Sequence, residues 1–209
     1  MRYRACMARW PLVLIAACKV KDPAPVTEAW TDTFDRGDIG GDYWATGKGY
    51  QLADGALSAR GAHNHPLWLR KKLPRDIRVE LDCWSTEQRG DIKIELFGDG
   101  HSFDPDGGAY MATGYEIVFG GWYNRKSIIA RLDEHGKDMA ARTDVKVVAN
   151  QHYHWKIERR GTKITWEIDG KPFLDYDDPR PLENVGHEYL GFNNWETDTW
   201  FDNVVITPL

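Results

Sequence analysis

The last third of the chain alternates apolar and polar residues, and this alternation constrains the fold more than any other feature of the sequence. Residues 153–159 and 163–168 place apolar side chains at every second position; Gly161 separates the two segments and Asp169-Gly170 follows the second. Period-two alternation sends successive side chains to opposite faces of a strand, and Gly-containing pairs favour tight turns. The pattern therefore predicts an antiparallel β-meander, which an aromatic segment and a final hydrophobic segment complete.

Strand signals continue through the upstream part of the chain. Asp54-Gly55 separates two short apolar runs, which predicts a β-hairpin. Further strands are predicted at residues 66–69, 77–84, 91–97, 115–119, 126–131 and 146–149, and a helical turn is predicted within 133–143. No segment shows a sustained helical period, so the sequence predicts an all-β fold in one domain, a size that 209 residues suit.

The C-terminal motifs resemble those of the concanavalin A-like lectin/glucanase superfamily. A hairpin ending in Asp-Gly is followed by a Gly-Phe strand at Gly191 and by a terminal Phe-Asp-Asn-Val segment at 201–204. Residues 31–35 resemble the first strand of these domains, which pairs with the last. The resemblance covers residues 31–209 and implies a jelly-roll sandwich of two antiparallel sheets, one of which carries a sugar groove.

The composition excludes one class of partner and favours another. The net charge is −5, and nucleic-acid binding needs clustered Lys and Arg, so nucleic acid is not expected as a partner. The chain contains ten Trp, nine Tyr and seven Phe. Most large aromatic side chains fill protein cores, but so many also suit a surface on which the rings of an oligo- or polysaccharide stack.

The N-terminal segment predicts export. Arg2, Arg4 and Arg9 precede a short apolar run at 10–17, which is typical of a secretory signal and too short to span a bilayer. The run ends in Ile-Ala-Ala followed by Cys18, and this resembles the bacterial lipobox. The resemblance implies a lipid on Cys18, a membrane anchor and a location in the bacterial cell envelope. The alternative is a chance apolar stretch in an untargeted protein.

These features divide the chain into three parts: a lipoprotein signal peptide at 1–17, a Pro-containing tether at 18–29 and the jelly-roll domain at 30–209. Cys6 would leave with the signal and Cys18 would be acylated, so no disulfide is expected in the mature chain. Cys83 shares the parity of the aliphatic residues around it, which predicts an inert, buried thiol.

Residues of a groove should have the opposite parity to the core residues of their strands. Sugar recognition needs flat aromatic faces together with polar groups for the hydroxyls. The positions that meet this rule are Glu80, Asp82, Trp84, Asp91, Lys93, Glu95, Phe97, Glu116, Arg131, Asn193 and Trp195. The alternative is a solvated sheet face with charge pairs such as Glu80 with Lys93.

The segment 115–124 is the strongest single candidate, because Glu116 stands at a strand centre and two glycines and two aromatic residues follow it. In position it resembles the "E-x-Q" strand of the 3-keto-disaccharide hydrolase-like domains, with Val118 in place of the Gln. If the chain is an enzyme, Glu116 and Glu95 are the predicted acid or base. The residues predicted to bind saccharide are Trp84, Lys93, Trp122, Tyr123, Asn124, Arg131, Asn193 and Trp195.

Other catalytic and metal motifs are weak in this sequence. Asp91 and Glu95 lie on one strand face with about 13 Å between their Cα atoms, which is too far for a retaining glycosidase. The sequence His63-Asn64-His65 supplies two imidazoles, and two alone do not make a zinc site. The jelly-roll resemblance implies a structural calcium ion near the paired first and last strands, with Asp202 as a ligand.

Three hypotheses follow: a carbohydrate-binding protein, a glycoside hydrolase or lyase that uses the same groove, and an interaction domain that binds no sugar. They differ in the surroundings of the groove. We expect Trp122 or Trp195 to be substantially exposed and to line the same depression as Glu116, since an exposed ring serves a ligand or a partner.

Overall fold

A computed structural model describes residues 22–105 and 110–209. The predicted signal peptide and Cys18 lie outside these residues. The strands in chain order are β1 (Trp30–Asp32), β2 (Tyr43–Ala45), β3 (Tyr50–Ala53), β4 (Ala56–Arg60), β5 (Leu67–Leu69), β6 (Ile77–Ser85), β7 (Ile92–Gly98), β8 (Tyr115–Gly120), β9 (Lys126–Arg131), β10 (Asp138–Arg142), β11 (Tyr153–Arg160), β12 (Lys163–Ile168), β13 (Lys171–Asp177), β14 (Tyr189–Asn193) and β15 (Asp198–Pro208); one helical turn, α1 (Gly121–Asn124), joins β8 to β9. No helix among the described residues is long and apolar enough to cross a membrane.

The strands form two antiparallel sheets that pack into a sandwich. The eight-stranded sheet has the order β13-β12-β11-β6-β15-β4-β3, with β1 paired to β15, and the seven-stranded sheet has the order β10-β9-β8-β7-β14-β5-β2. Trp30 of the first strand pairs with Ile206 of the last, as the resemblance implied. The predicted all-β jelly-roll sandwich is confirmed.

The core lies between the sheets and follows period two. Along β6 every second residue from Ile77 to Ser85 is buried, and the intervening residues are half-buried on the outer face. Burying one large aliphatic side chain contributes about 1.5–3 kcal/mol, so these rows define the register of the sheet. Cys83 is fully buried, and burial raises the pKa of its thiol, which agrees with the predicted inert role.

The outer face of the seven-stranded sheet is covered in its centre. Every residue of β7 and β8 is buried, including those that point away from the core. Residues from loops cover this face. Asn64 and Glu134 form hydrogen bonds with Lys93, and Tyr110 and Thr113 form hydrogen bonds with Glu95. In the part of the chain that the structure describes, the centre of this face is therefore a covered polar layer and not an open groove.

The structure corrects four local expectations. Residues 138–142 of the predicted helical turn form β10, which pairs with β9, and residues 146–149 form no strand. The tether is shorter than expected, because Val26 is buried and donates a hydrogen bond to the carbonyl of Lys72. Phe97 lies in the core, because its φ of 58° breaks the alternation of β7.

Candidate functional site

A depression of about 290 Å³ opens at the end of the seven-stranded sheet where β7 begins. Its lining residues are Asn64, Arg89, Asp91, Lys93, Val118, Trp122, Tyr123, Glu134, His135, Trp195, Glu196 and Thr197. The backbone at Gly90 lies very close to the backbone at Gly120 beside this depression. Gly90 has a φ of 74°, and a Cβ atom at this position would overlap the carbonyl oxygen of Gly120, so only glycine fits here.

Lys93 occupies the centre of the floor with 1% of its surface exposed. Its Nζ lies 2.8 Å from Glu134 Oε2 and donates a short hydrogen bond to Asn64 Oδ1. Burial alone would lower the pKa of Lys93, but the charges of Glu134 and Asp91 outweigh it and raise that pKa. The surroundings of Lys93 therefore favour its charged ammonium form, although the side chain is buried.

Glu134 connects Lys93 to a histidine at the rim. Its Oε1 accepts a hydrogen bond from Asn64 Nδ2 at 3.1 Å and lies 3.2 Å from His135 Nε2. Burial would raise the pKa of Glu134, but the Lys93 charge and the hydrogen bonds with His135 and Lys93 lower it to about 2. The hydrogen bond to Glu134 in turn raises the pKa of His135. The Glu134 carboxylate thus holds the side chains of Lys93 and His135 in place.

Asp91 lies at the base of the same depression. It is half-buried, has a φ of 66°, and its Oδ2 accepts a hydrogen bond from the backbone N–H of Trp195 at 2.6 Å. Burial raises the pKa of Asp91, and the nearby charge of Lys93 partly opposes this effect. A carboxyl group with a raised pKa inside a cleft suits proton transfer near neutral pH.

Two tryptophan residues form the walls. Trp122 and Trp195 are both half-buried, and Tyr123 beside them is 71% exposed. Lys126 Nζ lies 4.3 Å from the centre of the Trp122 ring, and the His135 ring meets that ring edge-on at 5.8 Å. Partly exposed aromatic faces around charged groups are the surroundings that a sugar ring requires.

The turn that carries Trp122 has an uncommon backbone conformation. Trp122, Tyr123 and Asn124 have φ values of 53°, 59° and 62°, and left-handed conformations of residues other than glycine cost free energy. The Asn124 side chain holds the turn, because its Oδ1 accepts from the N–H of Val147 at 2.9 Å and its Nδ2 donates to the carbonyl of Gln88 at 2.7 Å. Asn124 was predicted to bind saccharide, but its amide is used to fix the turn.

Glu95 and Glu116 lie directly opposite each other on β7 and β8, and both are fully buried. Glu95 accepts hydrogen bonds from Tyr110 Oη at 2.7 Å and from the N–H groups of Thr113 and Gly114 at 2.8 and 2.7 Å. Burial raises the pKa of both carboxyls, and the neighbouring charge of Glu95 raises that of Glu116 further. Neither carboxylate oxygen of Glu116 has a hydrogen-bond partner among the described residues, and neither acid lines the depression.

The structure separates several other predicted residues from the depression. Trp84 lies on the outer face of the eight-stranded sheet, stacked between His152 at 4.1 Å and Trp200 at 5.7 Å. Glu80 lies on that face too, so the suggested pair of Glu80 with Lys93 does not form. Parity brings Glu80, Trp84 and Lys93 to one face only if β6 and β7 belong to one sheet, and these strands lie in different sheets.

Arg131 and Asn193 serve the structure around them. Arg131 Nε lies 2.9 Å from Asp178 Oδ2, and this ion pair ties the end of β9 to the segment after β13. Asn193 of β14 is fully buried and pairs with Lys93 of β7 across the two strands. Its Oδ1 accepts a hydrogen bond from the N–H of Asn194 at 2.9 Å. Of the predicted saccharide-binding residues, those that line the depression are Lys93, Trp122, Tyr123 and Trp195.

Among the lining residues that the sequence does not mark as candidates, Asn64, Glu134 and His135 form the polar network of the site. In the sequence, Asn64 stands only as the spacer between two histidines. Glu134 lies in a polar segment whose hydrophobic residues show no regular spacing, so the sequence does not indicate that its carboxylate is buried. Contacts across 29 and 41 residues bring Asn64 and Glu134 to Lys93.

The calcium prediction at Asp202 stays a prediction. Asp202 Oδ1 accepts the N–H of Asn203 at 2.7 Å. Within residues 22–105 and 110–209, no group of three or more His, Cys, Asp or Glu side chains is arranged to hold a metal ion.

Solved structures share the fold at low sequence identity. A Bacillus subtilis protein of unknown function with a galectin-like fold is 16% identical, with a TM-score of 0.63 over 90% of this chain and 97% of its own. The carbohydrate-binding module CBM66 of Bacillus subtilis is 15% identical, with a TM-score of 0.55 over 79% and 95%. A β-1,3-1,4-glucanase (lichenase) from a mouse hindgut metagenome is 12% identical, with a TM-score of 0.60 over 87% and 100%.

A comparison with models of protein families identifies the family of the chain, whereas the solved structures show only its fold. No curated protein matches the chain. The model of one protein family does match, and it covers residues 29–207, which include all the residues that line the depression. The chain therefore belongs to the family of 3-keto-alpha-glucoside-1,2-lyase-like domains.

Proposed function

We propose that this protein binds a 3-keto-α-glucoside in the depression between Trp122 and Trp195 and cleaves it as a 1,2-lyase. The observation that carries the proposal is Lys93, a buried ammonium group that opens into the same depression as Asp91 and His135. The family name supplies the substrate class, and the side chains present suit the chemistry of such a substrate.

The reaction is an elimination next to a carbonyl group. The 3-keto group makes the hydrogen on C2 acidic, and a base that removes this proton leaves negative charge on the C3 oxygen. The electron pair then forms the C1–C2 double bond as the C1–O bond breaks, and the departing oxygen takes a proton. The substrate is neither oxidised nor reduced overall, and the demands are a base, an anion stabiliser and an acid.

The site has a group for each demand. Lys93 is placed to stabilise the developing charge on the C3 oxygen, because a fixed cation in a poorly solvated site is worth more than one in water. Asp91, whose pKa is raised by burial, is the base on C2. His135, whose pKa is raised by its hydrogen bond to Glu134, donates the proton to the leaving oxygen.

This assignment favours a lyase over hydrolysis by paired acids. Hydrolysis needs two carboxyl groups that reach opposite sides of the glycosidic bond. Glu95 and Glu116 are adjacent, but both are fully buried and neither lines the depression. Lys93 lines the depression. Its positive charge would stabilise a negatively charged enolate and would repel the positively charged oxocarbenium ion of hydrolysis.

The test is turnover of a 4-nitrophenyl 3-keto-α-glucoside, followed by nitrophenol release and by the ultraviolet absorbance of the conjugated enone. Loss of an anion-stabilising group costs about 10²–10³ in kcat, so Lys93→Met should reduce turnover by that order. Asp91→Asn should reduce turnover in the same way, by about 10²–10⁴.

Lys163→Met is the matched control, because Lys163 is an exposed lysine on β12 that lies 3.7 Å from Asp175. Absence of turnover in the wild type, or full activity in Lys93→Met, would reject the proposal.

A second candidate function is saccharide binding without cleavage. It is favoured by the half-buried rings of Trp122 and Trp195 and by the fold shared with a carbohydrate-binding module. Calorimetric titration with unoxidised and 3-keto glucosides separates the two functions. Saturable binding of either sugar with no enone product would favour this alternative.

We also propose that the protein is exported and anchored to the bacterial envelope through a lipid on Cys18. The basic start and the Ile-Ala-Ala-Cys sequence support this proposal. Metabolic labelling with a fatty acid should mark the wild type and Cys6→Ser but not Cys18→Ser. A soluble, unlabelled wild-type protein would reject it.

A further inference from the structure

A second depression lies apart from the proposed active site. It has a volume of about 310 Å³ and lies at the far end of β7, where Phe97 stands about 13 Å along the strand from Lys93. Its lining residues are Leu73, Arg75, Phe97, Arg159, Glu183, Asn184, His187 and Glu188.

Arg159 is the unusual residue of this depression. Its side chain is 1% exposed and stands 4.3 Å over the ring of Phe97. Nη1 donates to the carbonyl of Leu182 at 2.5 Å and Nε donates to the carbonyl of Gly161 at 3.2 Å. Nη2 has no hydrogen-bond acceptor in the part of the chain that the structure describes. Buried donors almost always have an acceptor, so the unpaired Nη2 is available to an oxygen of a ligand that enters this depression.

The nearest carboxylate does not supply that oxygen. Glu183 Oε2 lies 3.7 Å from Arg159 Nη2, beyond hydrogen-bond distance, while Arg75 Nε holds the same oxygen at 3.0 Å. The Arg75 side chain is 57% exposed and borders the opening. Two guanidinium groups therefore face one carboxylate, and guanidinium groups bind carboxylate and phosphate oxygens in a planar, two-point arrangement.

We propose that this depression binds a small anion, through a carboxylate or phosphate oxygen that accepts the free N–H groups of Arg159 and is shared with Arg75. Glu183 competes with the ligand for the same donors. The proposal concerns a site separate from the Lys93 depression and does not depend on the lyase reaction.

The experiment is a titration of the protein at low ionic strength with inorganic phosphate and with D-glucuronate, followed by NMR of the arginine Nε–H resonances. Both probes carry the required oxyanion, and a preference between them identifies the phosphate or the carboxylate source. We expect saturable shifts of the Arg159 resonance. Arg75→Ala should weaken binding about tenfold, because one of two charged donors is lost. Glu183→Gln should tighten binding several-fold, because it removes the competing charge.

Arg60→Ala is the matched control, since Arg60 is an exposed arginine paired with Asp198 on the eight-stranded sheet. It should leave both affinities unchanged. The proposal is overturned if neither probe binds the wild type or Glu183→Gln, or if Arg75→Ala binds as well as the wild type. It is also overturned if Arg60→Ala weakens binding as much as Arg75→Ala does, which would indicate unspecific attraction to surface arginines.

Discussion

Lys93 Nζ and Glu134 Oε2 form a buried ion pair at 2.8 Å between residues that are 41 positions apart in the chain. The side chains are 1% and 8% exposed, so each charge depends on the other for its stability. Asn64 donates to Glu134 and accepts from Lys93, which completes a closed polar group under the aromatic walls. This group both holds the loop after β9 against the sheet and keeps a cation at the floor of the depression.

Replacing Glu134 with Gln should strongly destabilise the protein. Removing one partner of a buried ion pair leaves the other charge uncompensated and costs about 3–5 kcal/mol. The free energy of unfolding in urea measures the loss. Glu167→Gln is the matched control, because Glu167 pairs with Lys156 at 2.7 Å on the partly exposed face of the other sheet. There we expect a loss of at most about 1 kcal/mol. Equal losses in the two variants would contradict the structural role of the buried pair.

The same pair predicts how stability changes in acid. The pKa of Glu134 is lowered from 4.5 to about 2 in the folded state. A lowered carboxyl pKa contributes stability that is present above the unfolded value and is lost as pH falls through the folded value. The difference in unfolding free energy between wild type and Glu134→Gln should therefore shrink from pH 5 towards pH 2. A difference that does not change with pH would show that Glu134 is not ionised in the folded protein.

The rim histidine predicts a change with the opposite sign. The pKa of His135 is raised above 6.5 by its hydrogen bond to Glu134. Its contribution to stability is therefore present below pH 6.5 and is lost as pH rises through the folded pKa. Urea unfolding of wild type and His135→Gln at pH 5.5 and pH 8.5 measures this contribution. His135→Gln should cost more at pH 5.5; a larger cost at pH 8.5 would contradict the assignment.

Strand positions were predictable from the sequence because alternation is a local property. The row from Ile77 to Cys83 and the hairpin at Asp54-Gly55 carry their own signals, and the structure places both as predicted. The sheet to which a strand belongs depends on contacts between distant parts of the chain and cannot be read from local alternation. β6 and β7 are adjacent in sequence but lie in different sheets, so parity alone placed Trp84 and Lys93 on one face.

The site was less predictable, because two of its polar residues, Asn64 and Glu134, come from loops. Lys93 was identified by its parity on β7, and Trp122 and Trp195 by their positions after strands. Asn64 and Glu134 become functional candidates only through contacts with Lys93 across the chain. Glu116 had the strongest local signal, yet it is fully buried and does not line the depression.

The opposed carboxyls predict a stabilising substitution. Burial and the charge of Glu95 raise the pKa of Glu116, so this group costs stability once the pH exceeds its unfolded pKa. Glu116→Gln removes the titration and leaves a neutral side chain of similar size opposite Glu95. The variant should be more stable than the wild type at pH 7 and about equal to it at pH 4. Glu95→Gln, which disturbs the acceptor for Tyr110 and Gly114, should be less stable at both values. A Glu116→Gln protein that is less stable than the wild type at pH 7 would contradict the raised pKa of Glu116.

The aromatic walls predict a separation of binding from stability. Trp122 is half-buried and packs on a small cluster of Val118, Ile128 and Ala130, outside the main core. Trp122→Ala should therefore abolish measurable binding of glucosides in a calorimetric titration while thermal stability changes little. Trp84→Ala is the control, because Trp84 is also half-buried in a stack but lies on the other sheet, and its removal should leave binding intact. Loss of several kcal/mol of stability in Trp122→Ala would identify a core residue, since large core truncations cost about 3–5 kcal/mol. Loss of binding in Trp84→Ala with Trp122→Ala unaffected would move the saccharide site to the opposite face of the sandwich.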